Sequence, residues 1–165
     1  MGGRRRFDLF ADLILRQFPA TANAAAALPI ADIAGGKGQL RAAFQSRGIH
    51  NITTWDKRRS VPAHKPGFRR AWFDHRTAPN DYGLVLGMHP DEGTDHIVLF
   101  AAKNRVPFAV CPCCVKPSAA PFHGEREYEA WCRHVAGLAR AGGMRVDVLR
   151  LAMKGCSNVV IGRPG

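Results

Sequence analysis

The sequence predicts an α/β domain, a mostly parallel sheet with helices on both faces and an antiparallel hairpin at the C-terminus. Three observations predict it. Residues 28–33 form an apolar run that passes Asp32 and enters the glycine-rich Ala34-Gly35-Gly36-Lys37-Gly38, followed by a helix-like segment. This is the strand–turn–helix unit that brings backbone close to a ligand. A second strand-like run, residues 52–56, also ends in an acid, Asp56. Two alternating runs, 145–151 and 158–161, flank a turn at Gly155 and read as the hairpin.

The elements follow in order. Residues 7–18 place Phe7, Leu9, Phe10, Leu13, Ile14, Leu15 and Phe18 at helical spacing before Pro19 stops the helix. Strand one (28–33) leads into a helix over 37–47, ended by Gly48. After strand two (52–56), residues 57–69 hold Pro62, Pro66 and Gly67 and no helical period. A basic loop is therefore expected where a crossover helix would run, exposed and free to bind. Residues 70–74 read as a short third strand that buries Trp72 and Phe73 and ends at Asp74. Strand four spans 82–88, a helix 93–104, strand five 108–111 and a last helix 125–141 ended by Gly142-Gly143. Strand five is continuously apolar, as a strand covered on both faces must be. There is no internal repeat, and the alanine run at 24–27 is the one low-complexity stretch.

At 165 residues the chain is read as one compact domain, 1–165, with no room for an appended recognition domain. A formal net charge of +11 favours a polyanionic partner, RNA above all. The charge clusters at Arg4-Arg5-Arg6, at Lys57-Arg58-Arg59 and at Lys65, Arg69 and Arg70, with Phe68 interleaved as a base-stacking candidate. Five cysteines and no secretory leader point to a reducing compartment, cytoplasmic or organellar. No run reaches the roughly 18 apolar residues of a membrane span.

The glycine turn excludes two cofactor classes. In G-x-G-x-x-G counted from Gly36, the third glycine position is Arg41, which blocks the close helix–strand packing of a dinucleotide site. A P-loop needs Ser or Thr after its lysine, and Gly38 follows Lys37. What remains resembles the acid-x-Gly-x-Gly-x-Gly turn with which class I methyltransferases hold S-adenosylmethionine, with Ala34 in the first glycine place. That cofactor carries no phosphate, so its loop needs close approach more than an anion nest.

The string Asp32-x-Ala34-Gly35-Gly36-Lys37-Gly38-x-Leu40 resembles the G-x-G-K-G-x-L-S motif of a Rossmann-like class I methyltransferase branch that includes a eukaryotic tRNA 2′-O-methyltransferase. The segments Leu84–Asp95 and Pro107–Val115 are similar to later segments of that branch, although His89-Pro90 stands where the branch has Cys-Gly. The resemblance implies a sheet order of 3-2-1-4-5-7-6. It implies a cofactor site of Asp32, Ala34, Gly35, Gly36, Lys37, Gly38, Asp56, Asp74, Gly87 and Met88, with Lys37 toward the methionine carboxylate, Asp56 on the ribose and Asp74 near the adenine.

The expected reaction is methyl transfer to RNA, with strand four ending at the acceptor. His89 and Asp91 are the candidate bases; alternatively His89 shapes the loop and Asp91 caps the next helix. Lys57, Arg58, Arg59, Lys65, Arg69, Pro90 and Cys113 are the candidate substrate contacts. Cys111-Pro112-Cys113-Cys114 lacks a second ligand pair at zinc spacing, so no metal is expected and an apolar lining is preferred over a nucleophile. A protein partner that supplies recognition, an RNA-binding assembly factor without activity, and a methyltransferase for protein or small molecules stay open as alternatives.

Overall fold

The computed structural model describes residues 2–23, 28–79 and 81–165, with side chains from residue 5 onward in the first helix. The alanine run at 24–27 and the side chain of Arg4 lie outside the described residues. In chain order the elements are helix α1 (Gly2–Gln17), a 3-10 turn (Pro19–Ala22), strand β1 (Ile30–Ile33), helix α2 (Gln39–Gln45), and strands β2 (Ile52–Trp55), β3 (Phe68–Arg69) and β4 (Leu84–Met88). Helix α3 (Gly93–Asn104), strand β5 (Phe108–Cys111), helix α4 (Tyr128–Ala141) and strands β6 (Met144–Arg150) and β7 (Asn158–Pro164) complete it.

The seven strands form one sheet in the order β3-β2-β1-β4-β5-β7-β6. The pairs from β3 through to β5 are parallel, and β7 runs antiparallel to both β5 and β6. Side chains alternate across the sheet with period two. Leu84, Leu86 and Met88 of β4, Ala109 and Cys111 of β5, and Val159 and Ile161 of β7 meet Phe10, Ile14, Leu40 and Phe44 from α1 and α2. Val85, Phe108, Val110 and Val160 point the other way, to Ile97, Phe100, Trp131 and Val135 from α3 and α4. Every residue of β1, β4 and β5 is consequently buried. No helix among the described residues is long and apolar enough to cross a membrane.

The third strand differs from expectation. It pairs at Phe68 and Arg69 against Thr54 and Trp55, two residues ahead of the run 70–74. Lys65, Pro66 and Gly67 turn the chain into register early, with Gly67 in the left-handed region and the amide of Phe68 donating to the carbonyl of Lys65. Residues 71–74 are then past the end of β2 and fold over the sheet's carboxyl edge. Phe73 is buried as expected, whereas Trp72 is 41% exposed. The basic stretch 57–67 is helix-free, as its prolines predicted.

Candidate active site

The sheet reverses its order between β1 and β4, the topological switch where ligands of open α/β sheets lie. Asp32 sits inside β1 and is 1% exposed. One carboxylate oxygen accepts the Thr54 hydroxyl at 3.0 Å, and Oδ1 has no partner among the described residues. Burial pushes its pKa up to about 7, against the Thr54 hydrogen bond, and nearby Asp56 adds to the rise. A side chain at Gly35 would run into this carboxylate. Gly36 and Gly38 have φ of 60° and 80°, which glycine adopts without the penalty a Cβ brings. The glycine-rich turn therefore folds tightly between the ends of β1 and β2. Lys37 stands exposed at its tip.

Asp56 follows β2 and faces that turn. Its Oδ2 accepts the Gly36 amide at 2.9 Å. Arg58 grips the same carboxylate, with Nε to Oδ1 at 2.9 Å and Nη2 to Oδ2 at 2.6 Å. Burial works to raise the Asp56 carboxyl, but the bonds from Arg58 and Gly36 outweigh it and hold it below the usual range. The guanidinium also lies over the glycine turn, 2.8 Å from where a Gly36 side chain would begin.

Three cavities meet here. One of about 180 Å³ lies over Ile33, Asp56, Trp72, Phe73 and Pro90. A second, of about 390 Å³, lies over Gly35, Gly36, Lys37, Arg6 and Met88. Arg58 lines both. A third, of about 1060 Å³, opens between α1 and the β6–β7 turn, with Leu9, Leu151 and Met153 as apolar wall and Arg5, Arg6 and Lys154 as basic rim. His89 lines all three.

His89 and Asp91 both hold left-handed backbone, φ 57° and 52°, so the turn after β4 swings the imidazole inward. Its Nε2 lies 3.0 Å from the Cys156 carbonyl. A carbonyl only accepts, so Nε2 carries the proton and the neutral ring leaves Nδ1 as a lone-pair acceptor. Burial lowers its pKa, partly offset by the Cys156 carbonyl. Asp91 points elsewhere. Its Oδ1 takes Cys114 Sγ at 3.2 Å, Cys113 Sγ at 3.3 Å and Lys116 Nζ at 3.1 Å. Burial works against ionisation, but these donors hold its pKa down, which ill suits a base. Nor does its side chain cap α3: it is the Asp91 carbonyl that accepts from Thr94.

The other expected site residues divide. Ala34, Pro90 and Met88 line the cleft and Cys113 lines the large cavity. Asp74 follows the cleft-lining Phe73; its Oδ1 accepts the Arg76 amide at 2.7 Å and shapes its own turn. Gly87 is buried behind the cleft, where its missing side chain admits Ile97 and Pro90. Lys57 pairs with Glu92 at 2.8 Å and lies 4.4 Å over the Trp72 ring. Arg58, expected on substrate, is held by Asp56. Arg69 stacks on Trp55, and Lys65 approaches Phe68. Phe68 itself covers Gly38, so it packs on the glycine turn instead of standing free for a base. Arg59 is exposed. Trp72, read from the sequence as a core residue, lines the cleft instead; Glu92 lines it without a sequence signal that set it apart, and Arg6 was visible only as one charge of a basic start.

No family model and no curated protein matches the chain. Solved structures do. The mitomycin 7-O-methyltransferase MmcR is 17% identical with a TM-score of 0.56, over 93% of this chain and 54% of that one. Streptomyces venezuelae DesVI is 14% identical with a TM-score of 0.64, over 98% and 92%. Human N-acetylserotonin methyltransferase in complex with SAM is 13% identical with a TM-score of 0.55, over 96% and 56%. The chain thus spans about half the length of two of these and nearly all of DesVI. Together with the strand order, these likenesses show that the chain has the class I S-adenosylmethionine-dependent methyltransferase fold.

Proposed function

We propose that the chain is a methyltransferase that uses S-adenosylmethionine, with His89 as the group that accepts the proton of the methyl acceptor. The observation that carries this is the convergence of the three cavities on His89 at the sheet's switch point. The residues fit the cofactor. Asp56 presents a carboxylate at the end of β2, Trp72 and Phe73 give an apolar wall, and Lys37 stands exposed at the tip of the turn to meet a carboxylate, while Asp32 lies buried behind the turn, against Gly35, and backs it without lining the cavities. S-adenosylmethionine supplies an electrophilic methyl group on a sulfonium. The chain's own part is orientation and proton removal, worth several powers of ten each.

Arg58 must leave Asp56 for the ribose hydroxyls to reach it. Arg58→Ala is therefore expected to tighten S-adenosylhomocysteine binding by up to roughly five-fold, the scale of one half-exposed ion pair. Weaker binding in that variant, measured by calorimetry, would mean that Arg58 holds the cofactor itself.

For the acceptor we favour RNA, supported by the +11 charge and by Arg59, Lys65, Arg69 and Arg70 exposed beside the cleft. A small anionic acceptor is the second reading, favoured by the apolar wall and basic rim of the large cavity. The test is transfer of labelled methyl to separated RNA and low-mass fractions of cell extract at rising salt. RNA with six to ten phosphate contacts should lose roughly 10³–10⁵ in affinity between 50 and 200 mM salt, whereas a small acceptor should lose little. Label in neither fraction, from protein that binds the cofactor, would support an RNA-binding factor without activity.

A further inference from the structure

We infer that Asp91, Cys113 and Cys114 form a binding site for a zinc-class divalent cation, at the rim shared by the cofactor cleft and the large cavity. Cys113 and Cys114 are neighbours in sequence, and such pairs usually diverge. Here the turn after Pro112 sends both thiols the same way, their sulfurs 3.3 Å apart. Asp91 arrives from the other side, on the left-handed turn after β4. The three ligand atoms form a nearly equilateral triangle with edges of 3.3, 3.3 and 3.2 Å.

A tetrahedral zinc ion with bonds of about 2.3 Å to sulfur and about 2.0 Å to oxygen needs S···S near 3.8 Å and S···O near 3.5 Å. The triangle therefore has the required shape and opens by only a few tenths of an ångström. Two sulfurs and one carboxylate oxygen suit a borderline-soft ion and disfavour magnesium or calcium. Three protein ligands leave the fourth position open, the pattern of a reactive or exchangeable site.

The surroundings hold the ligands in place. Cys156 Sγ donates to the Cys113 carbonyl at 2.9 Å. Asp95, buried in the first turn of α3, accepts the amides of Ser118, Ala119 and Ala120 at 2.8, 2.7 and 3.1 Å, pinning the rest of the loop. Lys116 Nζ supplies the counter-charge to Asp91 at 3.1 Å, on a side chain exposed enough to swing aside. Binding replaces the two thiol protons, which pass to buffer, so one ion enters as two protons leave. Linear spacing missed the site because Asp91 lies 22 residues before Cys113 and only the β4–β5 pairing brings them together.

The test titrates the reduced full chain with Co²⁺, then displaces it with Zn²⁺. The expected result is one ion per chain, with a thiolate-to-cobalt charge-transfer band and tetrahedral d–d bands that Zn²⁺ abolishes. Cys113→Ser, Cys114→Ser and Asp91→Asn should each weaken binding by more than the roughly 10–100-fold that loss of an outer partner costs, while Cys132→Ser should bind as the parent does. Chain that is folded by circular dichroism and binds no ion, or binds it equally in the Cys113→Ser, Cys114→Ser double variant, would overturn the assignment. Needing neither cofactor nor acceptor, this result is separable from the methyltransferase reading.

Discussion

Replacing His89 with glutamine is expected to lower kcat for methyl transfer by roughly 10²–10⁴-fold, the usual contribution of a positioned general base. Glutamine keeps an N–H donor of similar reach for the Cys156 carbonyl, so the turn after β4 should survive. It has no basic nitrogen to replace Nδ1. The expected pattern in single-turnover kinetics is a collapsed chemical step with cofactor affinity changed little. Asp91→Asn serves as the comparison, since Asp91 is committed to two thiols and Lys116. It should reduce turnover less than His89→Gln. Full activity in His89→Gln would remove the imidazole from the chemistry and leave it as a shaper of the turn.

Asp32→Asn is expected to stabilise the fold at alkaline pH. In the native state the carboxyl has a pKa of about 7 against an ordinary 3.8. The native state therefore binds more protons than the unfolded state between these values, and stability falls as pH rises through that window. At about 1.4 kcal/mol for each pH unit, ionising Asp32 costs the fold roughly 4 kcal/mol by pH 8. The facing groups are Asp56, which raises the pKa, and Thr54 and Arg41, which lower it. Asparagine removes the ionisation but leaves an amide N–H where Oδ1 has no partner, a penalty of about 1–3 kcal/mol. The expected net gain is about 1–3 kcal/mol at pH 8, turning into a loss of about 1–3 kcal/mol near pH 4 where only the amide penalty remains, read from urea midpoints at unchanged slope. A gain equal at both pH values would show that Asp32 titrates normally. A loss of cofactor affinity in the same variant would show that Asp32 acts on the site through the glycine turn packed on its carboxylate.

Much of this was legible in the sequence because backbone chemistry is local. The glycines at 36 and 38 name the turn, the apolar run at 108–111 names a doubly covered strand, and alternation around Gly155 names the hairpin. The strand order followed from the resemblance and matches the structure. What sequence could not give was set by side chains meeting across elements. Arg58 reads as a free cation but is captured by Asp56 two residues earlier. Phe68 reads as a stacking platform but closes over Gly38. Trp72 reads, with Phe73, as a buried residue of a short third strand, yet early pairing at Phe68 leaves it in the open cleft. Asp74 follows the pattern of an adenine contact, and its Oδ1 accepts the amide of Arg76 two residues on, a bond that shapes its own turn. Asp91 and the two cysteines look unrelated until β4 and β5 lie side by side.

The cleft at the switch point is expected to hold S-adenosylmethionine, and calorimetry of the purified chain with S-adenosylmethionine and S-adenosylhomocysteine, with NAD as control, is the measurement to make. One cofactor should bind per chain, NAD should not bind, and Asp56→Ala should lose the cofactor. A chain that unfolds cooperatively in urea yet binds neither methyl donor nor product, or binds them unchanged in Asp56→Ala, would contradict that expectation.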